Sequence, residues 1–142
     1  MAKAFESFSP HMRELGFEVV SVVHGVCVAK IAYRPEFVGD PASGVLHGGL
    51  VTSLLDSAGG AAVLSALHEP ITLATLDLRI DYLRPAPPGK PLLARVECYK
   101  ATQHVAFTRG VAYDASEADP VAAMAATYML HTRKIRSAEK TA

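Results

Sequence analysis

Apolar and polar residues alternate strictly from Leu76 to Tyr82, with Leu76, Leu78, Ile80 and Tyr82 set against Asp77, Arg79 and Asp81. A period of two marks a half-buried strand, and it predicts one over 73–83. Runs rich in apolar residues predict five more strands, at 17–23, 26–33, 92–100, 105–113 and 121–132. His24-Gly25 joins the first two as a tight hairpin turn. The segments 85–91 and 114–120 separate later strands, and 34–46 is a loop rich in Pro, Gly, Asp and Ser. The stretch 47–67 has a different rhythm. Leu50, Leu54, Ala58, Ala61 and Ala62 share one side, and Asp56 is its only charge. A helix apolar on nearly every side is a buried one. Its centre, Ser57 to Ala62, lacks bulk, and each glycine there costs roughly 1 kcal/mol of helix propensity against alanine. Close approach of another backbone is the expected return. A short helix over 3–14 follows from Phe5, Phe8, Met12 and Leu15, with Pro10 interrupting the pattern.

Two strands, one buried helix and four strands on short links imply mostly antiparallel neighbours. The expected class is α+β, with one curved sheet around one long central helix and a short N-terminal helix. The 142 residues fit a single domain over 1–142, with its core at about 15–133 and a polar tail that frays.

Composition narrows the function. Fourteen basic residues balance fourteen acidic ones, so no overall field attracts nucleic acid or an anionic membrane. No uninterrupted apolar run reaches the roughly 20 residues of a membrane helix. The opening stretch 1–17 carries acids and lacks the long apolar run of a signal peptide. Cys27 and Cys98 lie in strand-like apolar runs and read as free core thiols of a cytoplasmic protein. Spacing among His11, His24, His68, His104 and His131 fits no metal site, and no metal or cofactor is expected.

The chemical signal is concentrated in 44–60, where His47, Gly48 and Gly49 open the buried helix. Amides at a helix start lack internal partners and carry partial positive charge. Glycines let a ligand approach them, and a carbonyl oxygen gaining charge during acyl transfer is a natural guest. Asp56 follows His47 by nine residues, half a turn out of phase and about 13 Å along the axis. Either Asp56 has no catalytic role, or it meets the glycine turn of a second subunit. Burying a lone carboxylate is costly, which favours a functional or interface role.

Leu46-His-Gly-Gly49, Leu54-Leu-Asp-Ser-Ala-Gly-Gly60 and the stretch Thr75 to Ala86 together resemble the PaaI-like acyl-CoA thioesterases of the hotdog superfamily. The resemblance spans about 15–133. It implies a hotdog fold, acyl-CoA substrates, a homodimer and a pairing of dimers. By the same resemblance the Gly48 amide polarises the thioester carbonyl, with Gly49 beside it, and His47 shapes the turn. Asp56 of the opposing subunit serves as general base or nucleophile, and Thr75 orients water. Two departures stand out. The family often has Asn six residues before the His, where this chain has Pro41; a longer loop would place Asp40 there instead. Thr75 is also in phase with Asp77 and Arg79, on the face expected to meet solvent. Arg84, then Lys90 and Arg109, are the candidates for the CoA phosphates. A hotdog hydratase or dehydratase and a non-catalytic acyl-thioester binding module are the alternative functions.

Overall fold

A computed structural model describes residues 9–67 and 71–132. Helix α1 (Pro10–Glu14) occupies the end of the expected 3–14 helix; Phe5, Phe8 and the tail 133–142 lie outside the described residues. Pro10 opens this helix rather than breaking it. At the first position its missing N–H is no loss, and the Ser9 hydroxyl caps the turn by accepting from the Met12 amide.

Strands β1 (Phe17–Val23) and β2 (Val26–Ile31) form the expected hairpin. His24 and Gly25 have φ of 48° and 81°, the pair of left-handed residues that a two-residue turn needs. The turn is tied down by the Gly25 amide, which donates to Ser65 Oγ at 3.1 Å. Ser65 sits near the end of α2 (Gly48–Leu67), the one long helix among the described residues. The other strands are β3 (Ile71–Tyr82), β4 (Leu92–Ala101), β5 (Val105–Tyr113) and β6 (Ala122–Thr132).

All six strands form one antiparallel sheet in the order β1-β2-β4-β5-β6-β3. Helix α2 touches every strand. The core lies between them, with Leu54, Leu55 and Val63 of the helix against Cys27, Ile31, Leu92 and Val96 of the sheet. This is the expected α+β architecture of a sheet around a central helix. With 20 residues and a mean hydropathy of 1.5, α2 has the length and composition of a membrane span, but over half of its apolar window is buried inside the chain's own fold. Cys27 is fully buried, and burial pushes its thiol up to about 12. Cys98 is also a free thiol but only half-buried, so it is less of a core residue than its strand suggests.

Three details differ from the sequence reading. First, β3 carries a bulge. Thr75 pairs with Tyr128 and Asp77 with Thr127, leaving Leu76 as the extra residue. The alternation therefore slips by one. Leu73 and Thr75 face inward before the bulge, opposite Leu130 and Tyr128; Leu78 and Ile80 face inward after it, opposite Ala126 and Met124. Leu76 is 50% exposed. Second, Tyr82 is not a core residue: it is 55% exposed, at the end of that inward row. Third, what approaches the helix at Gly59 is a side chain rather than a backbone. A Cβ there would collide with the Tyr128 hydroxyl.

Candidate active site

The inward row of β3 runs back along α2. Leu73 lies by Gly60, Thr75 by Asp56 and Tyr82 by Gly48. This contact of an edge strand with the central helix positions the groups around Gly48 and Asp56.

At the helix start, His47 acts as a cap. Its Nδ1 accepts from the Gly49 amide at 2.8 Å, and its own amide donates to Phe37 O at 2.8 Å. Both neighbouring glycines are required for that. A Cβ on Gly49 would lie 2.9 Å from the His47 ring nitrogen, and one on Gly39 would lie 2.8 Å from the His47 Cα. The Gly49 amide is thus already committed to His47, which sets it aside as a substrate ligand. Gly48, the first helical residue, has no intrahelical acceptor for its amide. Its carbonyl is held from the other side, accepting from the Tyr82 hydroxyl at 3.0 Å, with Thr52 Oγ1 3.3 Å away. Tyr82 and Thr52 also hydrogen-bond to each other at 2.9 Å. Beside Gly48 opens a cleft of about 330 Å³, walled by Leu46, Val51, Tyr82 and Pro85.

Two turns along the helix, Asp56 Oδ1 accepts from Thr75 Oγ1 at 2.8 Å. The bulge at Leu76 is the reason Thr75 can reach it. The buried Tyr128 hydroxyl donates to the Asp56 carbonyl at 2.9 Å and lies 3.4 Å from Oδ1. Burial first, then the neighbouring Asp56, raises the Tyr128 phenol well above the ordinary tyrosine range. Asp56 Oδ2 makes no hydrogen bond among the described residues. Eight residues separate Gly48 from Asp56, about 12 Å along the axis, so one chain does not bring them to one point.

Asp40 is turned into its own loop. Its carboxylate accepts from the Ala42 amide at 3.1 Å and Ser43 Oγ at 2.6 Å. These bonds, Ser43 first, hold it below the usual carboxylate range. The cations expected to meet phosphate are paired as well. Arg84 donates to Asp114, to the Asp119 carboxylate and carbonyl, and to the Pro85 carbonyl. It clamps the 114–120 loop onto the end of β3 and is not a free cation. Lys90 stands 3.5 Å from Asp114. Arg109 pairs with Glu97 at 2.6 Å and lies over the Tyr99 ring at 4.7 Å.

Sequence reasoning missed Tyr82 as a hydrogen-bonding residue, and it missed Thr52 and Tyr128 altogether. For Tyr128 a signal existed. Ala122, Met124, Ala126 and Tyr128 alternate inward on β6, and a tyrosine placed in a core needs a partner for its hydroxyl.

The sequence pattern of the family described as the thioesterase superfamily matches residues 43–121, which include the whole of α2 and the strand that lies along it. The medium/long-chain acyl-CoA thioesterase YigI of Escherichia coli is 31% identical over 143 residues, covering 92% of this chain and 91% of that protein. Identity to a Halobacterium salinarum protein reaches 41% over a shorter match of 75 residues, 51% of this chain and 50% of that one. A crystal structure from Pseudomonas aeruginosa is 37% identical and superposes with a TM-score of 0.81 over 90% of this chain and 95% of that one. The phenylacetic acid degradation protein PaaI of Thermus thermophilus, in a mutant form, is 26% identical with a TM-score of 0.73, over 85% and 98% of the two chains. The chain belongs to the thioesterase superfamily, with the hotdog fold and PaaI-like character that its motifs suggested.

Proposed function

We propose that this protein hydrolyses acyl-CoA thioesters to a carboxylic acid and free CoA, in a site made by two subunits. The observation that carries this reading is the environment of Asp56. A single carboxylate in an apolar helix has one oxygen anchored by Thr75 and its other oxygen free among the described residues. An anchored carboxylate with a free oxygen suits a general base acting on water, or a nucleophile at the thioester carbon. The oxyanion formed on the carbonyl is stabilised by the Gly48 amide at the helix start of the other subunit, where the dipole adds to the hydrogen bond. On the general-base path the water proton passes to Asp56 as the water oxygen bonds to the carbonyl carbon. Collapse of the tetrahedral adduct then expels CoA as the thiolate, which takes up that proton. On the nucleophile path collapse leaves an acyl–Asp56 anhydride, which water then cleaves to the acid, releasing the proton the thiolate takes up.

YigI is named as an acyl-CoA thioesterase, which supports CoA as the carrier. With Arg84 held by Asp114 and Asp119, Lys90 is the better candidate for the CoA phosphates. Its side chain is more than half exposed, and its carboxylate partner among the described residues lies at 3.5 Å.

The test is thiol release across a panel of acyl-CoAs, for wild type and Asp56→Asn. The amide oxygen can still accept from Thr75, so fold and local geometry are retained. A fall in kcat of about 10² or more is expected. Equal rates would rule out the carboxylate mechanism. Binding of acyl-CoA without thiol release would make the protein a binding module instead.

A further inference from the structure

An apolar groove of about 410 Å³ opens where α1, the middle of α2 and the start of β3 meet. Met12, Phe17, Leu64, Ile71 and Leu73 wall it, with Gly60 and Ala61 as its small-residue floor. Three hydroxyl side chains, Ser9, Ser57 and Thr72, also line it, and no charged side chain does among the described residues.

Two of its lining residues, Ser57 and Leu73, adjoin the groups around the candidate carboxylate. Ser57 is the residue after Asp56, and Leu73 precedes Thr75 on the same face of β3. A group attached to a carbonyl carbon at Asp56 is thereby led along the inner face of β3 into the groove. The lining suits an alkyl chain, which needs no polar partner. It does not suit an ionised or polyhydroxylated group, whose burial there would go uncompensated.

The paired glycines of the helix then have separate roles. Gly59 admits the Tyr128 hydroxyl, which a Cβ would strike. Gly60 faces open space, where an added Cβ would find only Leu73 Cδ1, at 3.8 Å, among the described residues. Among the described residues no packing contact requires a glycine at 60, yet its helix propensity is poor. What the missing side chain leaves behind is room in the groove.

We propose that this groove receives the unbranched alkyl chain of the acyl substrate, and that Gly60 sets the length of chain it holds. The inference rests on the thioesterase reading for the position of the carbonyl, so its test uses ligands that need not react. Calorimetry would measure the binding of S-butyl, S-octyl, S-dodecyl and S-hexadecyl CoA thioethers, which lack the carbonyl and cannot be hydrolysed. Affinity is expected to rise by about threefold to fourfold per methylene until the groove is full, and then to level off. Gly60→Leu puts an isobutyl group in the groove on a residue that favours helix. It should bring the plateau to shorter chains and lower the dodecyl-to-butyl affinity ratio by roughly tenfold or more. Leu64→Ala, which enlarges the groove, should move the plateau to longer chains. Affinity independent of chain length in wild type, or one plateau shared by all three proteins, would overturn the proposal. Chain-length-dependent binding without thiol release from any acyl-CoA would support the groove and remove the hydrolytic reading. Thiol release without chain-length dependence would do the reverse.

Discussion

Asp40 and Asp56 are the two carboxylates among the candidate site residues, and their surroundings divide them. Asp56 has one oxygen fixed by Thr75 and one free among the described residues, whereas both oxygens of Asp40 bond within its own loop. The bonds from Ser43 and Ala42 keep Asp40 ionised to lower pH than an ordinary carboxylate, so it stays negative throughout the neutral range. Were it beside the reacting carbonyl, its charge would oppose the developing oxyanion, and Asp40→Asn would raise the rate. Since Asp40 faces its loop, and Asn can keep the bond from Ala42, the pH–rate profiles of wild type and Asp40→Asn are expected to superimpose. A faster variant above neutrality would place Asp40 in the site after all. Residues at this scale were legible where chemistry alone marks them. A lone charge in an apolar helix points to Asp56, and a helix opening with His-Gly-Gly points to His47 and Gly48. Tyr128 and Tyr82 were not legible in that way, because a hydroxyl's partner depends on strand register, which alternation alone does not determine.

At the scale of elements, the helix was readable from its rhythm and β3 only in part. Alternation from Leu76 to Tyr82 is real, but it sets Thr75 on the wrong face, because a bulge leaves no mark in a pattern of apolar and polar residues. The link at 85–91 also suggests that β3 and β4 are neighbours. They are not, since β3 crosses to pair with β6. The contact between α2 and β6 gives a direct test of how closely these elements fit. Gly59→Ala gains about 1 kcal/mol of helix propensity, but its Cβ strikes the Tyr128 hydroxyl and lies 3.0 Å from Cζ. Overpacking of this kind costs about 1–3 kcal/mol, so a net loss is expected in urea unfolding. In a Tyr128→Phe background the hydroxyl is gone and the loss should shrink. The double-mutant cycle should therefore show coupling of about 0.5 kcal/mol or more. Strict additivity would mean that the Tyr128 hydroxyl does not sit against Gly59.

At the scale of the whole molecule, the edge of the sheet bears on assembly. β3 is a 12-residue edge strand with one side unpaired among the described residues, and natural edges of that length are usually covered. Its inward residues Leu73, Leu78 and Ile80 are only half-buried by the chain itself. Together with the axial separation of Gly48 and Asp56, this favours a dimer that joins along β3 and completes each site from two chains. Sedimentation velocity at assay concentration is expected to show a dimer or a larger even assembly. A fully active monomer would contradict both the assembly and the shared site.

The sheet order also has a consequence for how the molecule comes into being. β3 spans residues 71–82, but its partner β6 spans 122–132 at the end of the described chain. A ribosome therefore releases β3 long before anything exists for it to pair with, while β1 and β2 can close at once through a two-residue turn. Such distant pairing slows folding, because the intervening loop must be ordered before contacts reward it. Thr75 depends on β6 for its register, and Tyr128 lies on β6 itself. The surroundings of Asp56 are thus the last part of the fold to mature, and a nascent chain stopped short of residue 122 would hold a helix and four paired strands without the means to orient its carboxylate.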